Sequence, residues 1–460
     1  MSENMTETIS KYVASTTFED LDDFTISRLK VRLLDGIGCI AIGTIAPMCD
    51  ELFDLLAPYE DAEHGATALF RGKKLAAAEA AFINSFEMRS WDFEAVQCEN
   101  KGKLCSAGHI SGTTVPAALA AAERAGASGK EFITALALGD DITARLGAAS
   151  GFSVYAGWDN TNTINGLGAT TIVGKLSGLD EAQLRNAYGI DLNTLGSSMD
   201  NVNDKTMAFK FPMAWAARNA FISADLAKCG LTAAHDAFGG KKGYFFLFCG
   251  DAQKPELLCE DLGKVYYADI VIKPWSSCRV THPYIDATMQ IVNANNPDPT
   301  KIAKVIAHTT PKTAAGFCCT PWEVTEDFQP SAAFSIFFTV ACALAKHDVR
   351  PELMATKEAV CDPLINEIIA KMEISPSLDP DEYVTGNVTV IMEDGTEYFA
   401  RCENVKGNIY HNPMTDEEIL DKFYKNVAGK LTREQADKVI ETVNRLEELE
   451  SITELTDLLK

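Results

Sequence analysis

The chain is short of positive charge: 41 Lys and Arg stand against 65 Asp and Glu over 460 residues, a formal net charge of −24. That excess repels polyphosphates and anionic lipid surfaces, so no nucleic-acid and no membrane partner is expected. Long apolar runs are missing too. No stretch of about twenty uninterrupted apolar residues occurs, so no membrane span is expected. The opening MSENMTETISKYV lacks the basic start and apolar core of a secretory leader, and a cytoplasmic location is expected. There is no CxxC pair. The 13 cysteines are an odd number, mostly inside apolar runs, as at Cys39, Cys229, Cys342 and the pair Cys318 and Cys319. They read as buried free thiols rather than a disulfide framework. No Cys/His set has zinc-ligand spacing, so no metal is expected. Internal repeats and low-complexity linkers are absent as well.

What is present is mostly helical. Helical apolar spacing runs through 21–43, 74–87, 113–126, 130–147 and 214–230, rich in Ala and Gly that let backbones approach closely. Strand-like alternation is nearly absent up to about residue 264. The texture then changes. KVYYADIVIKPW (264–275) and KIAKVIAHTT (301–310) read as strands, and 386–403 as a hairpin turning at Asp394-Gly395. Helices are expected near 283–294, 331–347 and 362–372. The tail reverts to helix, with Thr415 and Thr432 as N-caps. The fold class is therefore mainly α with an α+β second domain. A large all-helical domain is formed by both chain ends (1–264 and 408–460), and a smaller α+β domain (265–407) is inserted.

Four segments carry candidate chemistry. In 84–123, Asp92 follows an aromatic residue, and His109 precedes Ser111-Gly112-Thr113-Thr114 and a helix with Pro116 near its first position. A helix start offers N–H donors and a positive dipole end to a carboxylate, and an adjacent imidazole can move a proton. The plainer reading is a capped helix beside a structural histidine. In 157–180, Asp159 and Thr161 stand in a polar run before a glycine-containing helix, either orienting a ligand or capping that helix. Lys210 lies between Phe209 and Phe211, either binding a carboxylate or reaching solvent. In KPWSSCRVTHPYIDA (273–287), Lys273, Arg279 and His282 fall within ten residues. Arg279 offers a bidentate fork for a carboxylate, and His282 an acid or base. Cys278 has no evident activating partner. His64, His308, His347 and His411 read as surface or structural residues.

In order and spacing, WDF (91–93), GHISGTTVPAALAAAE (108–123), GLGATTIVGKLSGLD (166–180), AWAARNAFISADLAKCG (214–230), KPWSSCRVTHPYIDA (273–287) and AAFSIFFTVACAL (332–344) resemble the MmgE/PrpD family from about residue 8 to 450. The family includes 2-methylcitrate dehydratase, cis-aconitate decarboxylase and iminodisuccinate epimerase. The resemblance implies a homodimer without metal or organic cofactor, with the α+β part as a lid and the site in the cleft between domains. Asp92, His109, Lys210 and His282 match the family's catalytic positions, with Lys273 and Arg279 beside them. Val96, Asp159 and Phe338 stand where members carry Thr, His and Tyr.

The expected activity is that of a cofactor-independent lyase working next to a carboxylate of a small di- or tricarboxylic acid. It would remove water or carbon dioxide through a carbanion- or enolate-like intermediate. Asp92, His109, His282 and Lys210 would be catalytic, and Lys273, Arg279, Thr113, Asp159 and Thr161 would bind substrate. The alternatives are a dicarboxylate epimerase and a non-catalytic binding protein on the same scaffold.

Overall fold

The protein is described by a computed structural model covering all residues except 1–3, 101–102, 106–107, 153–156, 251–252 and 383–384. Helices Asp23–Gly43, Ala77–Arg89, Ser111–Ala125, Gly129–Ser150, Asn160–Leu176, Glu181–Asp191 and Phe211–Lys228 form the main body. The Asn160–Leu176 helix is central, packing on Gly129–Ser150, Phe211–Lys228 and Ser111–Ala125. Glycine makes the first crossing. A Cβ on Gly139 would stand 2.9 Å from the Gly168 carbonyl, and one on Gly168 2.8 Å from the Gly139 carbonyl. No other side chain allows that approach.

The chain's end returns to this body. Helices Asp416–Val427 and Arg433–Asn444 pack on Asp23–Gly43. Thr415 and Thr432 cap them in full capping boxes, with Glu418 and Gln435 answering from the third position. Amphipathic spacing and capping residues alone made both helices readable.

The second part is a four-stranded sheet in the order Met372–Ser375, Ile302–His308, Gly386–Met392, Glu397–Cys402. The first pair is parallel and the other two antiparallel. Helix His282–Asn295 covers the last two strands and packs on Ile336–Lys346, which in turn meets Pro363–Ile369.

Three expectations change. The 264–275 strand forms only at Ala268–Val271, and it pairs antiparallel with Val96–Asn100, not with the later sheet. Residue 268 onward thus begins by closing a sheet of the first part. Short strands do occur before 264, at Ala66–Ala68, Lys73–Leu75, Val96–Asn100 and Lys103–Cys105. Three to five residues are too few to show a period of two. The helix read over 113–126, with Pro116 near its first position, begins at Ser111 and so places Pro116 inside it. Proline removes the N–H that would bond the Gly112 carbonyl. Ser85 Oγ donates to that carbonyl instead, at 2.6 Å. Among the thiols, Cys39, Cys318 and Cys342 are buried, whereas Cys229 is exposed at a helix end. No helix among the described residues is long and apolar enough to cross a membrane.

Candidate active site

Helix Ala77–Arg89 ends at Ser90, and the chain turns through Asp92 in a left-handed conformation (φ 49°). Aspartate tolerates that region better than most residues. The turn aims the Asp92 carboxylate into a fully buried cluster. Its Oδ1 accepts from Arg89 and, at 2.5 Å, from Lys273 Nζ. Glu94 Oε1 lies 2.7 Å from His109 Nδ1 and 3.4 Å from Arg89 Nη1. His109 Nδ1 is also 3.6 Å from Asp92 Oδ1. Arg89 further lies over the Phe209 ring, 5.0 Å from its centroid.

Burial alone would raise the Asp92 and Glu94 carboxyls. No single partner outweighs it, but the Arg89 guanidinium together with Lys273 and His109 does, and both carboxyls are held low. Burial would likewise lower Arg89, but Asp92 and Glu94 hold it charged. Burial pushes His109 below its ordinary value, and the Arg89 and Lys273 charges push the same way. The imidazole is therefore neutral at pH 7 beside two cations and two anions. Its side chain is 18 % exposed while the carboxylates are at 0 %. With Nδ1–H on Glu94, the neutral imidazole carries its lone pair on Nε2.

The cluster continues through one carbonyl. Ser277 O accepts from Lys273 Nζ at 3.1 Å and stands 3.2 Å from His282 Nε2. His282 Nδ1 meets Arg279 Nη1 at 3.2 Å. Burial and the Arg279 and Lys273 charges hold His282 far below its ordinary value. It is neutral, carries its proton on Nε2, and has both nitrogens engaged and no exposed surface. The third Lys273 donor goes to Asp92 O at 2.8 Å, so its three protons are used inside the protein.

The polar-run segment lies alongside. A Cβ on Gly108 (φ 72°) would fall 2.1 Å from Asn160 Nδ2, so the start of helix Asn160–Leu176 presses on the residue before His109. Asn165 Nδ2 donates to His109 O at 2.5 Å and to Thr113 Oγ1 at 3.2 Å. Asp159 is the N-cap of this helix, accepting from Thr161 N at 2.8 Å and Thr161 Oγ1 at 2.7 Å. Its charge also supports Arg89. Helix Ser111–Ala125 has no side-chain cap at its start beside His109.

The structure thus gathers Asp92, His109, Lys273, His282 and Arg279 into one network, with Thr113, Asp159 and Thr161 at its border. Lys210 is elsewhere: its amine donates to Pro47 O at 2.8 Å, and burial pushes it down to about 8. Arg89 and Glu94 were not singled out from the sequence. Their signal was their placing, three before and two after Asp92 in an otherwise apolar turn. Asp92, Glu94 and His109 each present a ligand atom within 4.8 Å of the others, a spacing open to a metal ion. Arg89 and Lys273 already hold the Asp92 oxygen, so a cation there would face two positive charges, and the set does not fit one.

Residues 7–257 match the MmgE/PrpD N-terminal domain and residues 275–448 the MmgE/PrpD C-terminal domain. The chain belongs to the MmgE/PrpD family. It is 25 % identical to a cis-aconitate decarboxylase of Aspergillus terreus, over 99 % of this chain and 96 % of that one. It is 23 % identical to the human cis-aconitate decarboxylase (100 % and 95 %) and 22 % to that of the mouse (100 % and 94 %).

Proposed function

We propose that this chain is a cofactor-independent lyase of the MmgE/PrpD family, removing carbon dioxide or water from a small di- or tricarboxylic acid. The observation that carries the reading is the Glu94–His109 pair: a partly exposed imidazole held at Nδ1 by a buried carboxylate, which leaves Nε2 as its basic nitrogen. That arrangement suits proton transfer at carbon. In decarboxylation, the electron pair of the breaking C–C bond stays on the substrate, next to a remaining carboxylate or spread over a conjugated double bond. His109, protonated at Nε2 from solvent once the substrate anion is bound, delivers that proton to the carbon. In dehydration, His109 takes the proton from the carbon beside the carboxylate, the freed electron pair forms the C=C bond, and the same proton passes from Nε2 to the hydroxyl leaving the neighbouring carbon as water. Lys273 and Arg89 stabilise negative charge through the carboxylates they hold. His282, engaged at both nitrogens, positions Ser277 and Arg279 rather than touching substrate.

Proton NMR of the purified protein in heavy water with a chelator tests this against citrate, 2-methylcitrate, cis-aconitate and amino or imino dicarboxylates. A new vinyl signal or a decarboxylated product is expected, lost in His109→Gln. Exchange or inversion at an α-carbon without loss of a group would instead establish an epimerase. A folded protein that changes none of these acids would sink the lyase reading.

A further inference from the structure

The turn that carries Asp92 and Glu94 is neither helix nor sheet, yet Trp91, Asp92, Phe93 and Glu94 are buried. Buried carbonyls need donors, and here no ladder supplies them. Each of four successive carbonyls takes a side chain from a distant part of the chain. Ser90 O accepts from Gln329, Trp91 O from Ser276 Oγ at 2.8 Å, Asp92 O from Lys273 Nζ at 2.8 Å, and Phe93 O from Lys422 Nζ at 2.8 Å. Gln329, Ser276 and Lys273 have no exposed surface, and Lys422 has 5 %. Three of the four donors come from beyond residue 272 in the second part. The fourth comes from helix Asp416–Val427 in the returning tail.

Lys422 does more than donate. Its amine pairs with Asp35 Oδ1 at 2.6 Å and lies 3.9 Å from the centroid of the Phe93 ring. Asp35 belongs to helix Asp23–Gly43, so one amine ties the tail, the first long helix and the turn together. None of these contacts is needed to hold the tail helix, which packs on Asp23–Gly43 along an apolar face that includes Phe423 and Val427.

We propose that Lys422 and Gln329 are positioning residues which, with Ser276 and Lys273, clamp the carbonyls of residues 90–93 and so hold Asp92 and Glu94 against His109. The inference deepens the proposed function and rests on it for its catalytic meaning, but its first test needs no substrate. The charged groups facing His109 are Arg89, Asp92 and Glu94 from the turn and Lys273 from the segment after strand Ala268–Val271. If the clamp loosens, His109 gains solvent and moves away from Arg89 and Lys273, and its titration midpoint rises toward the ordinary 6.5.

The experiment follows the seven histidines by carbon-13 NMR across pH, with His109 assigned through His109→Gln. Asp35→Asn/Lys422→Met removes both partners of the pair, so no lone buried charge is left. Gln329→Met removes a neutral donor of similar size and keeps the test open if the double variant does not fold. Lys175→Met is the control: that amine also caps three carbonyls, those of Val13, Ala14 and Thr16, away from the site. An upward shift of about half a pH unit or more is expected in both clamp variants and none in the control. With an acid that is turned over, kcat should fall roughly tenfold with KM within about twofold, and Lys422→Arg should restore it. A midpoint unmoved in every folded clamp variant would overturn the clamp even if the enzyme is a lyase. A shifted midpoint without turnover of any acid would keep the clamp and overturn the proposed activity.

Discussion

Asp191 is a buried carboxyl with no cation beside it among the described residues. It ends helix Glu181–Asp191, and its Oδ1 accepts from Thr194 Oγ1 at 2.9 Å and Ser223 Oγ at 3.2 Å. Burial raises it to about 6 from an ordinary 3.8, against those hydroxyl bonds. The sign follows from proton counting. Between those two values the folded chain holds a proton that the unfolded chain has lost, so stability falls as pH rises through that window and is level above it. At ~1.4 kcal/mol per pH unit, the gap is worth roughly 3 kcal/mol. Asp191→Asn cannot ionise. It keeps the acceptor for Thr194 and Ser223, and the Thr170 hydroxyl, which faces the native carboxyl, can turn to accept from its amide. Asn162 Oδ1, without a hydrogen-bond partner among the described residues, faces the same side of Gly166. The variant should match the native protein near pH 4 and exceed it by up to about 3 kcal/mol at pH 7 to 8. Thermal melts of both proteins across pH 4 to 8 read this as a Tm difference that opens with pH. A difference that stays constant across the range would refute the argument, since an uncharged or already paired Asp191 gives no pH dependence.

His109→Gln should lower kcat by about 10²- to 10⁴-fold with little change in substrate affinity, read by steady-state kinetics beside a binding isotherm. Glu94→Gln removes a charge that raises His109, so the imidazole midpoint, already below 6.5, should fall further in an NMR titration. In the native enzyme a rate that rises with pH through this midpoint identifies proton removal, and one that falls identifies proton delivery. Lys273→Met leaves Asp92 and Ser277 without their shared donor and should cost about 3–5 kcal/mol, measured as a lowered Tm. Ser85→Ala leaves the Gly112 carbonyl unbonded opposite Pro116 and should cost about 1–3 kcal/mol by the same assay.

The helices were legible because their evidence is local. Thr415 and Thr432 stand three residues before Glu418 and Gln435, and each capping box is contained in the run that shows it. The start of helix Ser111–Ala125 was misplaced because its evidence is not local. Pro116 looks like a first-turn proline until Ser85, 27 residues away, is seen bonding the Gly112 carbonyl. The site divides the same way. Asp92, His109, Lys273, Arg279 and His282 stood out by residue type, and the fold brings them together. How they share their hydrogen bonds could not be read, since Lys273 meets Asp92 across 181 positions and Lys422 meets Phe93 across 329. Asp159 caps its helix through Thr161, and its charge supports Arg89 as well. Phe338 stacks on Trp322 with centroids 5.4 Å apart, so the ring that stands in place of a tyrosine is packed rather than exposed.

A net charge of −24 and an acidic substrate are compatible on electrostatic grounds. Exposed carboxylates more than about 8 Å away are largely screened at physiological salt, so the local balance governs binding. That balance is even: Arg89 and Lys273 against Asp92 and Glu94, with His109 neutral. A substrate carboxylate arriving at the His109 edge tips it negative in a place of low dielectric. A nearby anion raises the proton affinity of an imidazole. On the proposed function, the substrate therefore moves His109 upward from its depressed resting value toward the pH at which it both takes and gives a proton. Burial first, and the two cations with it, make that shift start from the neutral form, so on this reading the free enzyme rests as a base and becomes an acid once the anion is bound.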